Sequence, residues 1–254
     1  MVGLLYTCLS RNDIKGFVDC LMEYIEDKRT ERLRLVETKI LDRIGRELGR
    51  LLVDENWRYS RLLSLWRFSL RDLKKLAYGL HGGREIRYVV ISALGFLSKE
   101  DYAGVRIFLD KVLNELPDWE TVDAFALRVV VNLIRQNRDE MFKLLREWGC
   151  SENRWIRRLA VASIPPYVRT SPNDIEECLS VIALMMSEKD VMVRKAVGWA
   201  LREISKKNID AVYRFLLGYK GSNDKYTRWI IREGSKKLPP DLRARLYSNN
   251  FYRT

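Results

Sequence analysis

Three short stretches decide the fold: Ile86-Arg87-Tyr88-Val89-Val90, Ile156-Arg157-Arg158-Leu159-Ala160 and Val193-Arg194-Lys195-Ala196-Val197. Each reads apolar-Arg-x-apolar-apolar, and each opens a helix in the same way. They lie 70 and then 37 residues apart, close to multiples of a unit of roughly 35 residues, the length of two antiparallel helices in a stacked repeat. Neither helix of such a pair can bury its apolar stripe alone, and stacking one pair on the next buries both. Chance produces similar stretches in any helical bundle. Their shared position at helix starts favours repeats, and the expected fold is all-α, an α-solenoid of antiparallel helix pairs.

Outward from these stretches the apolar period stays helical, and no segment alternates convincingly as a strand would. Asn12-Asp13 opens an amphipathic segment running to about Asp27. Thr30 caps a longer one, in which Leu33, Val36, Ile40, Ile44, Leu48 and Leu51 recur at three- and four-residue steps. Ser98-Lys99-Glu100-Asp101 has capping-box spacing and is expected to open a helix ending near Leu116. Pro117 closes that helix, and Asp118 caps the next, from Trp119 to about Arg135. Further helices are expected from Arg138, Arg154, Asn173, Val191, Ile209 and Asp224. Paired helices of this kind are HEAT-like, and one repeat domain is expected over 1–254: N-terminal helices at 1–56, whose packing the sequence does not specify, repeats at 84–210 and basic helices at 211–254.

The 254 residues, 47% hydrophobic and 31% charged, suit a water-soluble globular chain with a sizeable core. No apolar run approaches the roughly 18 residues of a membrane span. Met1 to Ser10 has no basic segment ahead of its apolar stretch and does not read as a signal peptide, so a cytoplasmic protein is expected. Cys8, Cys20, Cys150 and Cys178 are far apart and are expected to be free thiols. With His81 the one histidine, neither a Cys/His zinc site nor a Ser-His-Asp or Cys-His nucleophile is expected unless His81 itself serves. His81 precedes Gly82-Gly83 and reads as the cap of a helix C-terminus before a glycine turn. No metal or other cofactor is expected. The net charge is +12. From Leu201 onward 13 basic residues face 5 acidic ones, a surplus of 8. A polyanion is the natural partner, because each Lys or Arg set against a phosphate releases counterions. A solvated basic surface would account for the same charge.

Three segments look unlike ordinary core helices. In Asp118-Trp119-Glu120-Thr121-Val122-Asp123, Trp119 and Asp123 stand one turn apart on one helix face. Asn153-Arg154-Trp155-Ile156-Arg157-Arg158 gathers three arginines and a tryptophan at one helix start. In Val193-Arg194-Lys195-Ala196-Val197-Gly198-Trp199-Ala200-Leu201-Arg202-Glu203, Gly198 next to Trp199 lets something approach the backbone closely. Each has a plainer reading. Trp119 can be packing and Asp123 a solvated charge, Arg157 and Arg158 can pair with acidic residues of neighbouring repeats, and Trp199 can be core. Spacing alone settles none of them.

Together the three segments resemble the DNA alkylation repair family of AlkD-like DNA glycosylases, over about Arg84 to Asp210. That family carries a Trp-x-x-x-Asp helix start, an Asn-x-Trp-x-x-Arg helix start and a Lys-Ala-x-Gly-Trp-x-Leu-Arg-Glu helix. Here they read Trp119 to Asp123, Asn153 to Arg158 and Lys195 to Glu203. The resemblance implies a HEAT-like solenoid that removes N3- and N7-alkylated purines from duplex DNA without a metal or a covalent intermediate. It implies Asp123 as the catalytic carboxylate, Trp119 and Trp199 as the aromatics against the lesion's sugar and backbone, and Arg158 as a DNA-holding arginine. Arg154, Arg157, Arg194 and Lys195 join the candidate DNA-binding set, although the motif gives Arg157 no role of its own. A monomer is expected to wrap the duplex. The family's N-terminal Gly-Ile/Val-x-x-Pro segment has no match between Met1 and Asn56. Two rival readings remain: a non-catalytic solenoid that binds distorted DNA, and a protein–protein scaffold.

Overall fold

The computed structural model describes residues 1–27, 34–70 and 82–248. Among the described residues every regular element is helical, and no helix is long and apolar enough to cross a membrane. Packing divides the chain into two compact units, Met1–Gln136 and Asn137–Thr254.

The first unit comprises α1 (Val2–Ser10), α2 (Ile14–Asp27), α3 (Arg34–Leu51), α4 (Arg58–Leu70), α5 (Gly82–Leu97), α6 (Tyr102–Val112), α7 (Trp119–Phe125) and α8 (Val131–Gln136). α1, α3, α5 and α7 pack in one row, and α2, α4, α6 and α8 in a second. The tightest seam joins α3 to α5, and glycine makes it possible. A Cβ on Gly45 would stand 2.5 Å from both the Ser92 Cβ and the Val89 carbonyl oxygen. One turn on, a Cβ on Gly49 would stand 2.9 Å from the Ala93 carbonyl oxygen. Beside this apolar seam runs a polar tie. Asp42 of α3 accepts from Ser92 Oγ at 2.9 Å and from Arg128 Nε at 2.9 Å. Burial alone would push the Asp42 carboxyl up, but these donors hold it below its ordinary value.

The second unit comprises α9 (Arg138–Gly149), α10 (Arg154–Ala162), α11 (Ile164–Val168), α12 (Ile175–Ala183), α13 (Val191–Ser205), α14 (Ile209–Leu217), α15 (Lys225–Gly234) and α16 (Pro240–Tyr247). α10, α13 and α15 form one row and α9, α12, α14 and α16 the other. α9 packs on α10, and α12 and α14 both pack on α13, so the α10 and α13 starts of the sequence echo stand side by side in one row. The α10, α13, α14 and α15 starts are fixed by short polar side chains. The Asn153, Asp190, Asn208 and Asp224 side chains each accept an amide of the first turn, satisfying donors that a helix start leaves orphaned.

Several boundaries differ from the sequence reading. Asp101, not Ser98, caps α6, accepting the Gly104 amide at 2.8 Å. The Ser98 hydroxyl instead donates to the Gly95 carbonyl within α5's last turn, a local bond that competes with capping. α6 ends at Val112 and passes into a 3₁₀ turn, Leu113–Glu115. The segment expected as one helix from Trp119 to Arg135 is interrupted by a π turn, Ala126–Val130. Its loosened ladder is compensated by the Asn132 side-chain amide, which reaches the Arg128 carbonyl at 2.9 Å and the Gly95 carbonyl at 3.1 Å. Gly82 and Gly83 open α5 rather than forming a turn. A 3₁₀ turn, Pro172–Asp174, precedes α12, which starts at Ile175 rather than Asn173. Thr30 and His81 lie outside the described residues. All four cysteines are free, with Cys178 buried and Cys150 exposed.

Candidate active site and nucleic-acid interface

Trp119 and Asp123 stand on α7 of the first unit. Asp118 caps that helix, accepting the Thr121 amide at 2.7 Å. The same carboxylate receives Arg87 Nη2 of α5 at 3.2 Å, while Arg87 Nε reaches Thr121 Oγ1 at 3.1 Å. Burial is the largest influence on Arg87 and lowers its guanidinium from the ordinary value despite Asp118 nearby. Beside it, Arg84 Nε and Nη2 grip the two Glu120 oxygens at 3.1 Å each. This fork matches planar guanidinium to planar carboxylate. The α7 start is therefore clamped to α5 by two arginines, and it holds out Trp119, which is 47% exposed. Asp123 lies one turn further along, half-buried. Behind them the α7 core is apolar, with Phe125 edge-on to Trp66 at a centroid distance of 5.4 Å.

The remaining candidates stand on α10 and α13 of the second unit, and the structure sorts them by exposure. Arg158 is 6% exposed and donates to the Met192 carbonyl in the first turn of α13. Arg157 pairs through Nε and Nη2 with Glu188, at 2.7 and 3.2 Å, and its Nη1 donates to the Ser151 and Glu152 carbonyls at 2.8 Å. Arg194 Nη1 closes the next loop similarly, onto the Lys189 carbonyl at 3.0 Å. Its guanidinium lies over the Tyr226 and Trp229 rings, at 5.1 and 4.9 Å from their centroids. These three arginines hold helix starts together. Arg154 and Lys195 are exposed. The Arg154 guanidinium stacks on Trp155 at 4.3 Å and approaches Asp190 at 3.5 Å. Trp199 is half-buried. Gly198 does admit a close neighbour: a Cβ there would stand 3.0 Å from the Glu233 Cβ of α15.

Reading the sequence by motif missed one repeat. Asp224-Lys225-Tyr226-Thr227-Arg228 copies the cap-plus-four arrangement of Asn153 with Arg157 and Asp190 with Arg194. Arg228 Nη1 folds back onto the Asn223 carbonyl at 3.1 Å, as those arginines do in their loops. Thr227 in the apolar place hid the copy, and counting from the cap would have found it.

Stacked antiparallel pairs with this start-of-helix arginine device define an α-helical repeat protein. A model of the family described as DNA alkylation repair enzyme matches residues 74–238, and the chain belongs to that family. A search of curated proteins finds no match. Among solved structures, smu.31 from Streptococcus mutans UA159 is 22% identical, with 80% of this chain and 100% of that chain covered and a TM-score of 0.50. AlkD2 from Streptococcus mutans is 23% identical, with 80% and 99% covered and a TM-score of 0.50. AlkC from Pseudomonas fluorescens, an alkylpurine DNA glycosylase bound to DNA containing an abasic site analog, is 15% identical with a TM-score of 0.56. That match covers 91% of this chain and 63% of AlkC. At these identities the likeness establishes the shared fold, the α-solenoid expected from the repeat period.

Proposed function

We propose that this chain is a DNA glycosylase that hydrolyses the N-glycosidic bond of N3- and N7-alkylated purines in duplex DNA. The observation that carries the proposal is the clamped α7 start, which presents an exposed indole one turn from a carboxylate within a chain of the alkylation repair family. Alkylation at N3 or N7 gives the purine a formal positive charge, so the base is an activated leaving group and needs no strong general acid. The remaining demand is to stabilise an oxocarbenium-like sugar and to direct water onto it. Asp123 supplies a negative charge for the developing cation and an acceptor that orients the water. Trp119 offers a π-face to the same positive charge, and Trp199 offers one to the DNA, at about 0.5–2 kcal/mol for a cation–π contact. Lys195 and Arg154 hold phosphates, while Arg157, Arg158 and Arg194 position the helix starts that carry them. Such contacts fix the duplex without reading its sequence. AlkC, with its abasic-site DNA, supports DNA as the partner of a shared fold. The protein acts as a monomer in the cytoplasm, associated with the nucleoid through its DNA.

The test is release of 7-methylguanine from methylated duplex DNA by the wild-type protein and by Asp123→Asn. Base release by wild type, abolished in the variant with nearly unchanged DNA affinity, is the expected result. Full activity in the variant would overturn the catalytic assignment. DNA binding by wild type without base release would instead indicate a non-catalytic lesion binder.

A further inference from the structure

The family motif on α13 contains Lys195, Trp199 and Arg202, spaced Lys-x-x-x-Trp-x-x-Arg. The same spacing recurs on α15 as Lys225, Trp229 and Arg232. Residues at i, i+4 and i+7 share one face of a helix, and α13 and α15 are neighbours in one row. The second triplet begins at the first residue of its helix and the first triplet at the fifth of its own. The echo is thus offset by about one helical turn, roughly 5 Å.

Charge on α15 runs one way. From Lys225 to Lys237 five basic residues accompany a single acid, Glu233, which is occupied by Lys236 at 2.7 Å and approached by Arg202 at 3.8 Å. Lys225 and Arg232 are exposed, and neither forms an ion pair among the described residues. Trp229 is half-buried, its ring fixed beneath the Arg194 guanidinium. Arg194 is itself tethered to the Lys189 carbonyl at 3.0 Å. A rigid indole flanked by unneutralised cations is poor core and a costly solvated surface. It suits a regularly spaced polyanion with sugar faces between its charges.

We infer that α15 is a further contact strip for the phosphodiester backbone of duplex DNA, with Lys225 and Arg232 as its cations and Trp229 as its positioning aromatic. This rests on the proposed DNA-repair reading and extends it. The strip adds affinity away from the reacting sugar and takes no part in the bond cleavage.

The experiment measures affinity for an undamaged duplex of about 30 base pairs across about 0.05–0.2 M salt, where each phosphate contact contributes close to 0.9 to the log–log slope. The double variant Lys225→Gln/Arg232→Gln is expected to bind about tenfold more weakly at the low-salt end, with a slope shallower by about 1.8. Trp229→Ala is expected to weaken binding severalfold with an unchanged slope, and Trp229→Phe to restore most of it. Single-turnover base release at saturating DNA stays at the wild-type rate in all three. An unchanged slope in the double variant, with wild-type melting, overturns the inference. So does loss of binding to anionic vesicles with duplex binding intact, which would assign the strip to a membrane surface. The two readings fail separately: wild type that releases no base but loses duplex affinity on the double substitution refutes the glycosylase and retains the strip. Wild type that releases base while the double variant binds normally does the reverse.

Discussion

The Arg157 guanidinium and the Glu188 carboxylate meet edge to edge, Nε to Oε2 at 2.7 Å and Nη2 to Oε1 at 3.2 Å. With the Ser151 and Glu152 carbonyls on Nη1, the pair locks the loop before α10 to the loop before α13. The Glu188 side chain is only 8% exposed, and besides the Asp190 amide at 2.8 Å it relies on this partner. Lysine is a point charge and cannot reproduce the fork. Arg157→Lys is therefore expected to lower stability by about 2 kcal/mol, from the desolvated carboxylate and the lost carbonyl bonds. For a chain of this size that is a fall of roughly 5 °C in melting temperature. The check is thermal melting by circular dichroism alongside the salt slope of DNA binding. An unmoved melting temperature with a shallower slope would make Arg157 a DNA contact instead.

Lys195 is the opposite case. It is exposed on α13 and forms no ion pair among the described residues, so its removal costs the fold little. Lys195→Gln is expected to leave the melting temperature within about 1–2 °C of wild type. It should make the salt slope of duplex binding shallower by about 0.9, the signature of one lost phosphate contact. A drop in melting temperature with an unchanged slope would place Lys195 among the structural cations.

Helix pairing was legible because it follows from apolar period and caps, both local properties of a sequence. The starts at Asp118, Asn153, Asp190 and Asp224 appear where the cap residues stand. What the sequence did not disclose was which cations are used up by the fold. Arg157, Arg158 and Arg194 sit in one motif-rich region with Arg154 and Lys195, yet the first three are taken by the carbonyls of the loops before their helices, by the Met192 carbonyl of α13 and by Glu188. Those partners lie five to 34 residues away in sequence, and neither the apolar period nor a cap residue identifies them. The π turn after Phe125 was hidden for the same reason: Asn132 bonds to Gly95 of α5, a tertiary contact that overrides an unremarkable helical period. For the site itself, the motif located Trp119 and Asp123 on one helix face, while the clamp by Arg84 and Arg87 emerged only from the packing of α5 on α7.

Acid should loosen the second unit through its caps. Burial pushes the Asp190 carboxyl up, but the amides of Val193 and Met192 together with Arg154 outweigh it and hold the group below its ordinary value. A carboxyl depressed in the folded state contributes stability that is fully present above the ordinary carboxylate range. That contribution is lost as pH falls through about 4 toward the folded value. Melting temperature is therefore expected to hold from neutrality to about pH 5 and then to decline. Asp190→Asn keeps a capping oxygen but not the charge, and is expected to cost about 1 kcal/mol at neutral pH. Because the lost contribution is charge-dependent, the gap between variant and wild type should narrow progressively as pH falls below the ordinary carboxylate range. A gap of constant width across the range would refute the ionic part of this account.

Gly45 sets how near α3 can come to α5, and two opposing effects bear on its replacement. Alanine in a helix interior is favoured over glycine by about 1 kcal/mol from backbone entropy. The added Cβ would stand 2.5 Å from the Val89 carbonyl oxygen and 2.5 Å from the Ser92 Cβ, and the first of these is backbone that no rotamer change can withdraw. Relieving it requires α3 to move outward, which also lengthens the Asp42 bonds to Ser92 and Arg128. Overpacking of this kind costs about 1–3 kcal/mol and more where backbone must shift, so the steric effect wins. Gly45→Ala is expected to destabilise the first unit by about 2 kcal/mol net, read by denaturant unfolding, with Gly3→Ala as the control because a Cβ there meets nothing within 4 Å. If Gly45→Ala proved as stable as that control, the α3–α5 seam would be looser than its glycines require, and the Asp42 tie rather than close packing would be holding the two helices together.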